Sequence, residues 1–196
     1  SPSRGLGDVY KRQLVKDLQL NLKVSCITGD DLMSSAQEIK NMNCKEMFSD
    51  IKFPELNKVA SMNAYLGAFA ISKALDKGAD IVVTGRCVDS AVTLGACIHA
   101  FNWTKSDLDQ LAGGSLAGHI LECGAQATGG NFTDWELSKD IHNIGYPIAE
   151  ISNDGIFEIS KLPNTGGLVN VGTVSEQMLY EICLLYTSDA ADDIPR

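Results

Sequence analysis

One strand between two helical patterns is the feature that most constrains the fold. Residues 80–84 (DIVVT) form a short apolar, β-branched run that predicts a buried strand. An alanine-rich helical pattern over residues 60–77 precedes it and ends at Gly78, a typical C-terminal cap, and a second helical pattern follows over residues 89–101. This order predicts an α/β fold in which a mainly parallel sheet carries helices on both faces.

The remaining segments extend this pattern and then change it. Residues 22–28 predict a strand and residues 31–42 a helix, whereas residues 103–111 and 115–127 predict two helices separated at Gly113 and Gly114. Residues 146–152 and 156–162 predict strands joined by a tight turn, so we expect a C-terminal portion rich in β-hairpin. Thr173 and Glu176 resemble a capping box that opens a last helix.

Composition narrows the class of partner. The chain has 44% hydrophobic residues and a formal net charge of −9, without the clustered Lys and Arg of a protein that binds nucleic acid or an anionic membrane. No signal peptide or membrane-spanning run is evident, and the six cysteines contain no C-x-x-C pair, which predicts a cytoplasmic protein with free thiols. We therefore expect a small-molecule substrate, no nucleic acid and no membrane; a homo-oligomer is compatible with this composition.

The two ends differ from the rest of the chain. Residues 1–13 and 184–196 show no helical or strand periodicity that continues into the neighbouring chain, and both resemble translated sequencing-adapter sequence. We expect them to be non-native ends. Residues 14–183 are then expected to be a fragment of a single domain that is truncated on both sides.

The strongest candidate site is the segment of residues 118–130. In a helix, His119, Glu122, Cys123 and Gln126 are spaced i, i+3, i+4 and i+7 and share one face. The other residues of this helix are mostly apolar, so it is expected to be buried, where an unpaired carboxylate or imidazole would cost on the order of several kcal/mol. The stripe is therefore expected either to face a pocket or to be paired in a structural network.

A glycine-rich loop follows this helix. Thr128, Gly129, Gly130 and Asn131 could present backbone N–H groups to an anion or a carbonyl oxygen, although an ordinary helix C-cap and turn would have the same sequence. No metal site is predicted, because the H-x-x-E spacing supplies two ligands and the adjacent cysteine only a possible third.

A second group of polar residues follows the strand at residues 80–84. Arg86 lies where open α/β sheets place their ligands and could hold a carboxylate, a phosphate or Glu122. Asp89 is either catalytic or the N-cap of the next helix, with the cap slightly favoured. By the same reasoning Asp30 and Asp31 are more often caps than catalytic acids. Asn63 and Tyr65 can simply face solvent.

Five stretches together span most of residues 14–183. They are NAYLGA (63–68), GADIVVTGRCVDSAVTLG (78–95), AGHILECGAQATGG (117–130), GYPIAEI (145–151) and KLPNTGGLV (161–169). Taken together, these stretches resemble the acyclic terpene utilisation family. The resemblance implies that residues 14–183 are an interior fragment of one domain of that family. It also implies a cytoplasmic bacterial protein of the breakdown of acyclic terpenes such as citronellol and geraniol, through coenzyme A thioesters.

The first functional hypothesis is an enzyme that acts on a terpenoid acyl thioester or a related acid by proton transfer or hydration-type chemistry. Glu122 or His119 would be the general base or acid, and Cys123 as a nucleophile is a weaker option in an apolar environment. Gln126 would orient the substrate. Arg86 and the loop of residues 128–131 would bind its anionic or carbonyl end, with Arg86 and Asp89 as the opposite wall of the pocket. The sequence leaves the cofactor open, with a coenzyme A thioester as one candidate substrate.

The second hypothesis is a non-catalytic subunit or ligand-binding module of the same pathway. The polar stripe of residues 119–126 would then be a structural hydrogen-bond network at an interface.

Overall fold

A computed structural model describes residues 2–46, 49, 51–180 and 182 of the 196-residue chain. These residues form an α/β structure divided into two compact units, one up to residue 104 and one from residue 105 onward. The segment of residues 184–196 and Cys183 lie outside the described residues. The single-domain organisation and the non-native origin of the ends stay predictions, although the first helix runs through the boundary at residue 13, where no regular element was expected to continue.

The first unit has a two-stranded parallel sheet with helices packed on it. Its elements are α1 (Pro2–Asp17), β1 (Val24–Ile27), α2 (Ala36–Asn41), α3 (Ala68–Asp76), β2 (Ile81–Thr84) and α4 (Ala91–Phe101). Val24 pairs with Ile81 and Ile27 pairs with Thr84, so both strands end at the same edge of the sheet. The predicted strands and the helix after β2 are confirmed, and Gly78 follows α3 with a left-handed φ of +76°.

The core of this unit lies where α3 packs against α4. A Cβ atom added to Gly95 on α4 would lie 2.6 Å from the Cβ of Ile71 on α3, so the two helices approach closely at this glycine. Ile71, Ala91 and Ile98 are buried in the unit. Burial of these aliphatic side chains is the main favourable contribution to its stability.

The helix predicted for residues 60–77 is wrong in its first half, because α3 begins only at Ala68. The backbone of residues 62–66 instead bonds to two distant loops. Ala64 donates to the carbonyl oxygen of Asp30 at 2.8 Å, and Leu66 donates to that of Arg86 at 3.0 Å. These long-range hydrogen bonds replace those of a helix, although alanine and leucine favour helix locally.

The second unit combines two helices with an antiparallel hairpin. Its elements are α5 (Leu108–Glu122), β3 (Pro147–Ile151), β4 (Phe157–Lys161) and α6 (Val171–Leu179). The predicted hairpin is confirmed, with Ile151 opposite Phe157 next to the turn. The α/β class is therefore confirmed. Because the described strands form one parallel and one antiparallel pair, the mainly parallel sheet stays a prediction.

Two predictions about the helices of this unit are wrong. The break at Gly113 and Gly114 does not occur, because α5 continues through both glycines. The box that opens α6 is formed by Asn170 and Thr173: the Asn170 side chain accepts from the backbone of Thr173 at 2.8 Å, and Thr173 Oγ1 accepts from the backbone of Asn170 at 3.0 Å. The predicted pair of Thr173 and Glu176 therefore starts three residues too late.

Gly113 is required by close packing and not by a chain break. A Cβ atom at this position would lie 2.2 Å from the carbonyl oxygen of Gly155 in the hairpin turn. Gly155 itself has a φ of +85°, and a Cβ there would lie 2.7 Å from the Cα of Gln110 on α5. The two glycines thus allow the hairpin turn to lie against the helix backbone.

Replacing Gly113 with alanine is therefore expected to destabilise the protein by about 1–3 kcal/mol, the usual cost of overpacking. A matched control is Gly7→Ala in α1, where an added Cβ meets nothing within 4 Å. That change is expected to be neutral or stabilising by up to about 1 kcal/mol, because alanine is the better helix former. Urea unfolding followed by circular dichroism measures both, and equal effects would contradict the packing at Gly113.

Candidate functional site

The edge where β1 and β2 end carries the first group of candidate residues. Gly85, directly after β2, donates its N–H to the carbonyl oxygen of Ile27 at the end of β1, at 2.9 Å. Residues 62–66 lie alongside the two loops, since Asp31 pairs with Asn63 and Leu66 pairs with Cys87 in isolated bridges. Three segments that are distant in sequence therefore meet at this edge, which is where ligands bind in open α/β sheets.

A buried acid connects these three segments. Asp30 is only 1% exposed, and its Oδ2 accepts hydrogen bonds from the backbone N–H of Arg86 at 2.9 Å and from Nδ2 of Asn63 at 3.0 Å. The interpretation of Asp30 as a helix cap is wrong, because these bonds reach other segments. Asp31 does act locally, since its Oδ1 accepts from the backbone N–H of Met33 at 3.1 Å.

The Arg86 side chain lies on the exposed side of the same edge. Its guanidinium carbon is 4.7 Å from the centre of the Tyr65 ring, and Nη2 is 3.5 Å from Oδ1 of Asp89. A hydrogen bond with Tyr65 and the nearby carboxylate of Asp89 both raise the pKa of Arg86, so its positive charge is permanent. The side chain is still 50% exposed, which leaves guanidinium N–H groups accessible to a ligand.

Asp89 does not cap the next helix. Ser90 occupies the N-cap position of α4, and the Asp89 carboxylate is paired with Arg86 instead. The structure thus brings together two predicted residues, Arg86 and Asp89. It adds Asp30, which the sequence analysis had assigned to a cap, and Tyr65, which does face solvent at 63% exposure but also contacts Arg86. The signal for Asp30 was its position three residues after β1, which is similar to the position of Arg86 two residues after β2.

The second group of candidate residues lies where α5 ends, in the second unit. The prediction of one helical stripe is wrong, because α5 ends at Glu122 and residues Gly124–Thr128 form a 3₁₀ turn. His119 and Glu122 share a helical face, whereas Cys123 follows the helix and Gln126 belongs to the turn. All four side chains are half-buried.

His119 is bound to α6. Its Nε2 lies 3.1 Å from the carbonyl oxygen of Met178, and its own backbone carbonyl accepts from Nε2 of Gln177 at 3.1 Å. Because a carbonyl oxygen only accepts, Nε2 must carry the proton in this contact, and Nδ1 is then the ring nitrogen that can take up a proton. The imidazole is thus oriented by the backbone of the neighbouring helix.

Glu122 and Cys123 are in direct contact. Cys123 Sγ donates to Oε1 of Glu122 at 2.9 Å, a bond that requires the thiol to keep its proton. A neighbouring carboxylate also disfavours a thiolate by charge repulsion. Within this pair, Glu122 is therefore better suited to accept a proton than Cys123 is to act as a nucleophile.

The loop of residues 128–131 is held together by its own hydrogen bonds. Gly129 donates to Gln126 O at 3.2 Å and Gly130 donates to Ala125 O at 2.9 Å. Thr128 is fully buried, and its Oγ1 donates to Gly145 O at 2.5 Å. These donors are engaged within the chain, as in an ordinary turn, whereas the side chain of Asn131 is exposed.

Two buried acceptor atoms remain without a partner in the described part of this unit. Oε1 of Gln126 and Oε1 of Gln177 are buried and have no hydrogen-bond partner among the residues that the structure describes. A buried polar atom of this kind is rare in folded proteins and is often met by a ligand or a water molecule.

The two candidate groups belong to different compact units, and each is described here by itself. Within the second unit, grooves of about 500 and 400 Å³ are lined by residues 150–152 with 156–158 and by residues 133–137, respectively, and contain none of the predicted site residues. In the described part of the chain, no three His, Cys, Asp or Glu side chains are grouped so that they could hold a metal ion. No helix in that part is long and apolar enough to cross a membrane.

Comparison with known proteins identifies the family. The family model described as acyclic terpene utilisation family protein AtuA matches residues 4–191, nearly the whole chain. No curated protein and no solved structure matches. The match includes the five stretches around Asn63, Arg86, His119, Tyr146 and Lys161 on which the resemblance was based. The chain therefore belongs to the acyclic terpene utilisation family AtuA.

Proposed function

We propose that this chain binds the anionic end of an acyclic terpenoid acid, or of its coenzyme A thioester, at Arg86 as one step of acyclic terpene catabolism. Family membership implies involvement in acyclic terpene utilisation. The observation that carries the proposal is the Arg86 guanidinium, half-exposed at the end of the parallel strands and oriented by Tyr65 and Asp89. Arginine with its fork of N–H donors suits carboxylate and phosphate groups.

The overall charge of the chain supports a specific role for this cation. With a formal net charge of −9, the protein as a whole repels anions, so an anionic substrate needs a local positive site. Asp89 contacts one nitrogen of Arg86 at 3.5 Å, which is too long for a strong hydrogen bond. The remaining donors are then available to the carboxylate or phosphate of a ligand.

Replacing Arg86 with alanine is expected to weaken the binding of citronellate, an acyclic terpenoid carboxylate, at least tenfold, because charge-assisted hydrogen bonds contribute about 1.5–3 kcal/mol. Arg86→Lys should give an intermediate loss, since a lysine keeps the charge but not the fork. Isothermal titration calorimetry with citronellate, neutral citronellol and coenzyme A measures the affinities.

The matched control is Arg12→Ala. Arg12 is also 50% exposed and is paired with a carboxylate, that of Asp8 at 2.8 Å, but it lies on α1, whereas the ring contact with Tyr65 and the ion pair with Asp89 are made by Arg86. Unchanged affinity for both citronellate and coenzyme A in Arg86→Ala, or an equal loss in Arg12→Ala, would contradict the proposal. A loss confined to coenzyme A would assign the bound anion to its phosphate groups, and a loss confined to citronellate to the carboxylate.

We further propose that the end of α5 supplies acid/base chemistry, so that the chain is an enzyme. Glu122 or Nδ1 of His119 would remove a proton next to the thioester carbonyl of a terpenoid acyl coenzyme A. Gln126 would orient the substrate through its buried, unpartnered Oε1. Support comes from the fixed orientation of the imidazole, whose Nε2 is held by Met178 O.

The alternative is a ligand-binding module without catalysis, and a specific observation favours it too. His119 and Gln177 connect α5 to α6 through hydrogen bonds, as a purely structural network would. Thr128, Gly129 and Gly130 are likewise engaged within the chain, so they support substrate binding less than Arg86 does.

Proton exchange separates these two possibilities. In D₂O the chain is expected to incorporate deuterium next to the carbonyl of citronellyl coenzyme A, as read by mass spectrometry. His119→Ala and Glu122→Gln are each expected to slow this exchange at least about 100-fold, the usual contribution of a general base. His142→Ala, a change at a histidine that is 88% exposed, is the control and should have no effect. No exchange by the parent chain, or undiminished exchange in both variants, would contradict the acid/base proposal.

A further inference from the structure

Asp30 occupies an unusual place for an acidic residue. It is almost completely buried, yet it is hydrogen-bonded to the backbone of the exposed Arg86. Its Oδ2 accepts from the backbone of Arg86 and from the side chain of Asn63, which are 56 and 33 residues away in sequence. One carboxylate oxygen therefore joins the loops after β1 and β2 to the segment of residues 62–66.

Both residues of the stacked pair depend on these contacts. Arg86 is bonded to Asp30 through its own backbone N–H, so Asp30 determines where the Arg86 side chain begins. Tyr65 is two residues after Asn63, and Ala64 between them donates to the backbone carbonyl of Asp30 at 2.8 Å. The 4.7 Å separation between the guanidinium and the ring thus depends on Asp30, which accepts hydrogen bonds from both segments.

Energetics also favours a role in positioning. A buried carboxylate loses its hydration, and hydrogen bonds recover that loss only in part, so such a residue is weak support for overall stability. A neutral acceptor could join the same loops at a lower desolvation cost. What a carboxylate adds is stronger hydrogen bonds to both donors, and hence a better defined geometry.

We infer that Asp30 is a positioning residue, which holds the Arg86 loop and the Tyr65 segment so that the guanidinium stacks on the ring and faces the ligand. It does not touch the ligand itself. This inference rests on the proposed binding of an anion at Arg86. The stacking of the guanidinium on the ring can nevertheless be measured without any ligand. The positioning role of Asp30 and the proposed anion binding can therefore fail separately.

The experiment compares Asp30→Ala and Asp30→Asn in the complete chain. Nuclear magnetic resonance reports the stacking, because the ring current of Tyr65 shifts the Arg86 side-chain protons upfield, with Arg86→Lys and Tyr65→Leu used to assign the signals. We expect Asp30→Ala to abolish the upfield shift and to weaken citronellate binding at least fivefold. Asp30→Asn retains an acceptor oxygen and should restore part of both.

Two further variants exclude an indirect effect of stability. Ile98→Val thins the core of the same unit two turns along α4, and it should leave both the shift and the affinity unchanged even though it lowers the unfolding midpoint. Asn63→Ala removes one donor to Asp30 without removing the buried carboxylate, and it should reduce the upfield shift and weaken binding about threefold. It serves as the decisive variant if Asp30→Ala does not fold.

Each outcome bears on the inference. A folded Asp30→Ala protein with the parent upfield shift overturns it, as does an unchanged shift in Asn63→Ala. A comparable loss of the shift in Ile98→Val would also overturn it, because stability alone would then explain the effect. If Arg86→Ala binds citronellate normally while Asp30→Ala still loses the shift, the positioning role stands and the proposed function fails.

Discussion

The parallel pairing of β1 with β2 is the constraint on which the first candidate site depends. Because the strands run in the same direction, the residues that follow each of them emerge at one edge, where Gly85 donates to Ile27. The segment of residues 62–66 then completes the edge by hydrogen bonds to both loops. None of these contacts is local in sequence, so the site exists only when the strands pair.

Charge is distributed unevenly at this edge, and this difference is the basis of the proposed binding role. Asp30 is buried and its hydrogen bonds are made within the protein, whereas Arg86 keeps half of its surface exposed. A buried acid can orient its neighbours because it has no solvent to exchange with, and an exposed cation can meet a ligand. In a protein with a net charge of −9, Arg86 thus places one exposed cation at this edge, beside the carboxylate of Asp89.

The second unit illustrates how the same polar residues can serve structure and chemistry. His119 and Gln177 connect α5 with α6, and the turn after α5 satisfies its own N–H groups. These bonds orient the imidazole and leave Nδ1 as the nitrogen able to accept a proton, while Glu122 is held against the Cys123 thiol. An oriented base and a structural network are therefore not exclusive, and proton exchange is the property that distinguishes them.

Much of the candidate site could be predicted from sequence. The residues whose partners are distant in the chain could not. Arg86 and Asp89 were identified because they follow a strongly apolar strand, and the Glu122 and His119 pair because of its spacing. Asp30 was assigned to a cap, since its partners Arg86 and Asn63 are distant in the chain. Tyr65 does face solvent, but its contact with Arg86 could not be predicted for the same reason. The stripe at residues 119–126 was predicted too long, because Gly124, which follows the end of α5 with a left-handed φ of +54°, was not recognised as a C-terminal stop.

The sequence by itself determined the elements whose patterns repeat locally: both strands of the first unit, the helix after β2 and the hairpin turn. These follow from side-chain periodicity and from turn residues, which act over a few positions. Only the tertiary structure decided that residues 62–66 are not helical and that α5 runs through Gly113. In both places a contact with a distant segment outweighs a local preference: backbone hydrogen bonds to two loops in one, and the close approach of Gly155 in the other.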